Sequence, residues 1–383
     1  MTGAMAWILL AAVGLPTLVV AVELVAAHWP RRLPAASGSP RTALLVPAHD
    51  EGVDIAGTVR ALRAAAPAGS RILVVADNCT DDSAEQARRA GAETIERRDP
   101  ARRGKGFALD FGRDRLAADP PDVVIVLDAD CAIDRDGLAR LAAAAHIIGR
   151  PVQSAYLLRP RPELGALVAL SGFAFLLRNL VRQRGLARLG APALLTGSGM
   201  AFPWACFAAA PLASADVVED LTIGIALARM GMDPVFLAEA VTLSDPARRA
   251  ATLPQRRRWE HGSLRTAWRE APSLIAAGRW PLAWLGLHLA VPPLALLVLI
   301  DLFALALLDR NSPPFALLAA LLALLALLLL LGWARFGRAQ LPARQLMLIP
   351  LYILWKLPLY AAAMLRPERS WTRTDRGRDG GDV

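Results

Sequence analysis

Two blocks of this chain, one near each end, are too apolar to face water, and they limit what the rest can become. Residues 5–27 are almost purely apolar, with Glu23 as the one charge. About 20 such residues are enough to cross a bilayer. The pattern returns after Pro281: 282–308 reads as one span, the polar Asp309-Arg310-Asn311-Ser312 follows, and the leucine-dominated 315–333 reads as a second. Residues 346–365 are long enough for another but contain Pro350, Lys356 and Pro358, and a charge near the middle of a span is costly. With 55% hydrophobic residues and a mean hydropathy of +0.38, the chain lies outside the range of an ordinary soluble enzyme.

The cationic residues orient these blocks. A secretory signal would carry basic residues ahead of its apolar run, whereas here Arg31-Arg32 comes after it. The positive-inside rule then puts the N-terminus outside and the following domain in the cytoplasm. Arg335, Arg338 and Arg344 mark a return to that side. Arg366, Arg369, Arg373, Arg376 and Arg378 would face outside if 346–365 crossed. That segment is therefore expected to lie in the interface or re-enter, leaving the tail cytoplasmic. The net charge of +9, from 43 Lys+Arg against 34 Asp+Glu, suits contact with anionic headgroups. No helix-turn-helix, zinc or aromatic RNA motif speaks for nucleic acid. Cys79, Cys131 and Cys206 are odd in number and scattered, which fits a reducing compartment rather than a disulfide framework.

Between the apolar blocks the sequence repeats strand, acidic loop, helix. A strand at 42–46 runs into Pro47-Ala48-His49-Asp50-Glu51, with a helix over 53–66. A second strand, 71–76, ends on Asp77-Asn78-Cys79-Thr80-Asp81-Asp82 ahead of a helix reaching residue 90, and 93–96 makes a third. Such alternation predicts a parallel-type sheet with crossover helices. Val123-Val124-Ile125-Val126-Leu127 reads as a fully buried strand and stops on Asp128-Ala129-Asp130-Cys131. In open α/β sheets ligands sit beyond the carboxyl ends of the strands. Two carboxylates one residue apart repel unless a cation or a hydroxyl shares them, and a hard divalent cation bridging phosphates wants such oxygens. Alone, the pair reads more readily as a strand-end turn with acidic residues.

Further candidates follow. Arg102-Arg103-Gly104-Lys105-Gly106 opens a helix from Phe107, a setting for phosphate oxygens that surface loops also share. Residues 163–189 are apolar on most sides, yet Arg178, Arg182, Arg184 and Arg188 crowd the second half. That suits either an interfacial amphipathic helix or a core helix with solvated arginines. Leu195-Thr196-Gly197-Ser198-Gly199 leads into a strand-like run, and Glu219-Asp220 opens a helix whose dipole alone would favour acids there. Gln255-Arg256-Arg257-Arg258-Trp259 lies on a further helix.

Taken in order over 41–262, these motifs resemble those of membrane-integrated glycosyltransferases of family 2, the inverting GT-A class that includes cellulose, hyaluronan and poly-N-acetylglucosamine synthases. The sequence departs from that pattern at Asp50, where many members carry Asn, and at Asp77-Asn78, where many have two consecutive acids. The resemblance implies an α/β GT-A (Rossmann-like) cytoplasmic domain with α-helical transmembrane segments at both ends. The expected layout is a transmembrane helix in 1–30, a linker at 31–40, the GT-A domain over 41–280 with interfacial helices near 163–189 and 253–270, a transmembrane or interfacial region at 281–366, and a basic cytoplasmic tail at 367–383. It also implies roles. Pro47, His49, Glu51 and Asp77 hold the base and ribose of the donor, and Lys105 lies near the nucleotide. Asp128 and Asp130 bind the donor and a divalent metal, Mg2+ or Mn2+, with Asp130 closest to the cation. Asp220, with Glu219 beside it, is the general base. Gln255, Arg258 and Trp259, with Gly197 and Ser198, cover the diphosphate and meet the acceptor.

The chemistry agrees with these residue types. Transfer from a nucleotide diphosphate needs the leaving phosphates neutralised, and the acceptor hydroxyl needs a carboxylate to take its proton. The expected function is therefore an inverting membrane transferase moving sugar from a nucleotide-diphosphate donor, a UDP-sugar, to a polysaccharide or lipid-linked acceptor of the cell envelope at the cytoplasmic face of the inner membrane. Single transfer to a lipid is a close alternative. A non-catalytic membrane protein with a degenerate domain is a distant one, which the intact Asp128, Asp130 and Asp220 oppose. Membrane lipids are expected partners. The spans are too few to line a channel, so a polymer would need an export partner.

Overall fold

A computed structural model describes residues 3–29, 31, 33, 38–216, 218–246, 262 and 264–357. The chain forms two compact units that interleave along the sequence. One comprises Met1–Pro30, Pro160–Ala191 and Pro246–Val383, the other Arg31–Arg159 and Pro192–Asp245. The segment expected as one domain over 41–280 is thus shared between them.

The second unit is built on an eight-stranded sheet. Its strands in chain order are β1 (Thr42–Ala48), β2 (Arg71–Asp77), β3 (Glu93–Arg97), β4 (Val123–Val126), β5 (Cys131–Ile133), β6 (Val152–Leu158), β7 (Met200–Pro203) and β8 (Val235–Ser244). They lie in the order β3-β2-β1-β4-β7-β6-β8-β5. The expected parallel arrangement holds for β3, β2, β1 and β4, which are joined by the helices Ile55–Ala65, Ser83–Arg89 and Lys105–Leu116. Beyond β4 the expectation needs correcting. β7 runs antiparallel to β4 and to β6, and β5 antiparallel to β8, so the sheet is mixed. No crossover helix links β4 to the next strand: the chain turns at Asp128-Ala129-Asp130 directly into the short β5.

Alternation along the strands sends side chains to both faces. Leu44, Val46 and Ile125 join Ile55, Val59, Leu138 and Leu141 in one core. Leu45, Val75, Val124 and Val126 meet Leu109, Leu116, Phe202 and Phe207 in the other. Both faces are covered, so these strands read as continuous apolar runs rather than alternating ones. The helix Arg135–Ile148 that seals the first core begins with Asp134, whose side chain accepts from the Gly137 N–H, and ends at Gly149 with φ +66°. Both are ordinary stop signals for a helix.

The first unit is helical. Gly3–Ala26 and Pro313–Gly337 are long and apolar enough to cross a membrane. The stretch expected as a single span over 282–308 is instead two helices, Trp280–Ala290 and Leu294–Leu307, bent by 72°. The break holds Pro292 and Pro293, which lack an N–H and crowd the preceding turn. Of 346–365, the described part is a 3-10 turn, Ala343–Leu348, and a short helix, Ile349–Trp355. Its remainder from 358 and the arginine-rich tail lie outside the described residues. The 163–189 stretch becomes the helix Ala166–Leu176, a π-helical turn at Leu177–Arg182 and the helix Gln183–Arg188.

Polar groups lock this apolar unit. Glu23 is fully buried, and Arg182 Nε donates to its Oε2 at 2.6 Å. His288 Nδ1 lies 2.8 Å from Glu23 Oε1. Gly185 permits the approach, because a Cβ there would overlap the Glu23 carbonyl. Removing one partner of a buried ion pair strands the other, at a cost of about 3–5 kcal/mol. Glu23→Ala is therefore expected to lower the detergent-solubilised melting temperature by several degrees, with Glu23→Ala/Arg182→Leu recovering part of the loss. A Glu23→Ala melting curve superimposable on wild type would show the pair to be dispensable.

Candidate active site

The exits of β1 and β2 are fastened to one another. Asp50 and Asn78 both adopt φ +52°, a left-handed conformation that Asp and Asn tolerate better than other non-glycine residues. From there Asp50 Oδ1 accepts from the Thr80 N–H at 2.6 Å. The Glu51 N–H donates to Ser83 Oγ at 2.7 Å and the Gly52 N–H to Asp81 Oδ2 at 3.0 Å. His49 Nδ1 donates to the Asp77 carbonyl at 2.7 Å. Asp50 thus closes the turn at Thr80. Pro47, His49 and Glu51 stand half-buried along this edge.

Asp77 is buried and already engaged. Its Oδ1 accepts from Arg97 Nη1 at 2.7 Å and from Asn78 Nδ2 at 3.0 Å. Arg97 also donates to the Arg102 carbonyl at 2.8 Å, which ties β2 to the loop before the glycine-lysine-glycine motif. The sequence reading passed over Arg97. A signal existed, since it stands at the carboxyl end of the third strand, where ligand-facing residues collect.

The centre of the site gathers around Gly197, whose φ is +88°. An atom in the Cβ position there would lie 3.3 Å from Asp220 Oδ2, 3.3 Å from Lys105 Nζ and 4.0 Å from Asp128 Oδ2. Lys105 Nζ donates to Asp128 Oδ1 at 2.5 Å and to the Gly197 carbonyl at 2.6 Å. The Asp128 N–H donates to Ser198 Oγ at 3.0 Å. Four segments therefore meet: the start of the helix Lys105–Leu116, the end of β4, the loop before β7, and the start of the helix Glu219–Arg229.

Buried supports hold them. Gln153 Nε2 donates to the Ser198 carbonyl at 2.9 Å and Gln153 Oε1 accepts from the Thr196 N–H at 3.0 Å. Thr58 Oγ1 donates to the Ala129 carbonyl at 2.5 Å, pinning the turn between the two aspartates. Gly199, at φ +68°, has no room for a side chain, because a Cβ would overlap Ser154 Oγ and Thr242 Oγ1. Neither Gln153 nor Thr58 stood out in the sequence, because an isolated polar residue in an apolar strand or on a helix carries no motif.

Charge in this cluster is unbalanced. Burial works against the Lys105 ammonium, but Asp128, Glu219 and Asp220 outweigh it and hold its pKa above the ordinary value. Burial, reinforced by Asp220, pushes Glu219 up to about 8 against the opposing pull of Lys105. Ligand atoms of Asp128, Asp130 and Cys131 lie within 4.8 Å of one another, as do those of Asp50, Cys79 and Asp81. Burial, and then the neighbouring carboxylates, keep the Cys131 thiol protonated. The first group therefore offers two hard oxygens, a donor set that fits Mg2+ or Mn2+. Gln255, Arg258 and Trp259 lie outside the described residues.

Comparison with known proteins places this geometry. The profile of glycosyltransferase like family 2 matches residues 40–262. Uncharacterized glycosyltransferases of Mycobacterium bovis and Mycobacterium tuberculosis are 45% identical over 83 residues, 22% of this chain. The chain spans 35% of the length of these curated relatives. The solved mannosyltransferase PcManGT from Pyrobaculum calidifontis, in complex with GDP-Man and Mn2+, shares the fold with a TM-score of 0.61 at 19% identity, over 95% of this chain and 99% of that one.

The Glu219 environment makes a prediction. Its folded-state pKa of about 8 lies above the ordinary carboxylate value of 4.5. The folded state therefore binds more protons between those values, and stability falls as pH rises through that window. Melting temperature should drop from about pH 4.5 to about pH 8, and Glu219→Gln should flatten that component. A Glu219→Gln profile parallel to wild type would place the titration elsewhere.

Proposed function

The chain belongs to glycosyltransferase like family 2, and from that premise we propose an inverting, membrane-bound transferase that moves sugar from a nucleotide-diphosphate donor to a lipid-linked or glycan acceptor. The observation that carries this reading is the convergence of Lys105, Asp128 and Asp220 on Gly197. Pro47, His49, Glu51 and Asp77 border the base and ribose. Asp128 and Asp130 would hold a divalent cation, Mg2+ or Mn2+, which when bound neutralises the leaving diphosphate. Lys105, kept charged by its carboxylate neighbours, adds a fixed cation beside the phosphate oxygens. Burial, reinforced by Asp220, favours the protonated form of Glu219, and Asp220 is assigned as the base.

Asp220 then takes the proton of the acceptor hydroxyl as that oxygen bonds to the anomeric carbon. The bond from that carbon to the diphosphate breaks with its electron pair leaving on the nucleotide. One displacement inverts the centre, and no enzyme nucleophile is required. Gly197 and Ser198 line the diphosphate side, with Gln255, Arg258 and Trp259 assigned to the acceptor side. A UDP-sugar is the first donor to try. GDP-mannose is the second, because the similar Pyrobaculum mannosyltransferase was solved with it. The apolar helices Gly3–Ala26 and Pro313–Gly337 support a multi-pass location in the cell membrane, with the sheet-bearing unit cytoplasmic. Polymer synthesis would call for a separate export partner.

Release of nucleotide diphosphate from a donor panel tests the activity. Asp220→Asn should lose about 10²–10⁴-fold in transfer while retaining donor affinity by calorimetry. Asp130→Ala should lose the metal-dependent part of donor binding. Near-normal turnover in Asp220→Asn would move the base to another residue. For topology, a cysteine introduced at Ser370 should resist an impermeant thiol reagent in intact cells and react after permeabilisation, and labelling of intact cells would put the tail outside.

A further inference from the structure

In the helical unit, Gly3–Ala26, Pro313–Gly332 and the end of Gln183–Arg188 border an open groove of about 670 Å³. Its wall includes Leu18, Val22, Val25, Trp29, Leu189 and Leu324, and Arg188 is the one charged residue of the lining. A trough so lined offers a polar ligand nothing along its length and suits a hydrocarbon chain.

At one end the chemistry reverses. Arg188 is exposed and has no ion-pair partner among the described residues. Nearby, Arg184 Nε donates to the Ala27 carbonyl at 3.1 Å, and its guanidinium lies 5.1 Å from the Phe336 ring. Arg335 Nη1 stands 3.3 Å from His28 Nδ1. Burial, with the charges of Arg335 and Arg184, pushes His28 below the ordinary imidazole value. Glu23, the carboxylate of the same helix, is buried and committed to Arg182. Trp29 is 62% exposed, and Trp280 Nε1 donates to the Leu189 carbonyl at 2.8 Å. Indoles of this kind favour the level of lipid headgroups.

We propose that this groove holds an acyl chain of an anionic phospholipid, with the lipid phosphate seated against Arg188. A guanidinium matches phosphate oxygens in a bidentate fork, and Arg188 disfavours a headgroup that brings its own positive charge. The inference rests on the membrane reading above.

The test uses the intact protein in phosphatidylcholine vesicles containing phosphatidylglycerol, with dibrominated acyl chains on one lipid or the other. Bromine quenches indole fluorescence on contact, and the Trp29 component is wild type minus Trp29→Phe. One arginine near an anionic surface favours it by about fivefold. Trp29 should accordingly be half-quenched at an about fivefold lower fraction of brominated phosphatidylglycerol than of brominated phosphatidylcholine. Arg188→Lys should keep that preference and Arg188→Gln should lose it. Equal quenching by the two lipids in wild type means ordinary annular lipid and overturns the groove while leaving the membrane reading intact. A preference that survives in Arg188→Gln also overturns it. Failure of either lipid to quench any tryptophan overturns both readings.

Discussion

The candidate site depends on the two different pairings of β4. On one edge β4 runs parallel to β1, with Leu45 opposite Val126. Parallel strands finish on the same side of a sheet, so the chain leaving β1 and the chain leaving β4 emerge together. On the other edge β4 runs antiparallel to β7, with Val126 opposite Met200. An antiparallel strand begins where its neighbour ends, so β7 contributes the loop that precedes it. That is why Gly197 and Ser198 face Asp128. The ladder continues into the loop through the Gly199 N–H, which donates to the Val126 carbonyl at 3.0 Å. A wholly parallel sheet would carry that loop to the opposite edge.

Geometry of this kind collects acids, and the electrostatics follow. Asp128, Glu219 and Asp220 all act on Lys105, the cation buried among them. Three carboxylates around one ammonium cannot all remain charged at low cost, since like charges at close range disfavour joint ionisation. Burial and then Asp220 push Glu219, the most enclosed of the three, toward its protonated form. Asp128 and Asp130 remain at the open edge of the strand, where a further cation would complete the balance. The same imbalance would hold a diphosphate poorly without that cation, because phosphate oxygens would meet carboxylate oxygens.

Much of this was legible in the sequence, and the misses have physical causes. The β1, β2 and β4 strands were readable because burial on both faces makes them nearly uninterrupted apolar runs between acidic loops, and β3, a polar edge strand only partly buried, from its place in the alternation. The placing of Lys105, Asp128, Gly197 and Asp220 together was implied by family resemblance alone, since nothing local relates Gly197 to Asp128, 69 positions away by the numbering. Beyond β4 the sequence showed a strand-like run at β7, but neither β5 nor the antiparallel pairings. β5 has three residues and β7 four, too few to display a period, and their pairing is set by partners distant in sequence. The pairing of the Asp77 carboxylate with Arg97, between two strand ends, is one that no spacing rule exposes. The bend at Pro292-Pro293 was available locally. A hydropathy window averages across it, because two prolines hardly change the mean of a leucine-rich run.

In the helical unit, composition specifies less than it does in the sheet. Pro313–Gly332 is dominated by leucine and alanine, and a helix of that kind can rotate or slide with little change in contact. Where helices are this uniformly apolar, register comes from small residues and polar contacts. The first helix carries two such contacts. Thr17 Oγ1 donates to Asp301 Oδ2 at 2.6 Å, and Glu23 takes Arg182 and His288. At 1.5 Å per residue these anchors stand about 9 Å apart along the axis, and at 3.6 residues per turn they point about 120° apart around it. One anchor alone would fix depth while leaving rotation soft. Two anchors at different heights and on different sides fix both. Glu23 and Asp301, the two acids that most disturb the reading of these stretches as plain spans, are therefore the residues that give the helices a single way to pack.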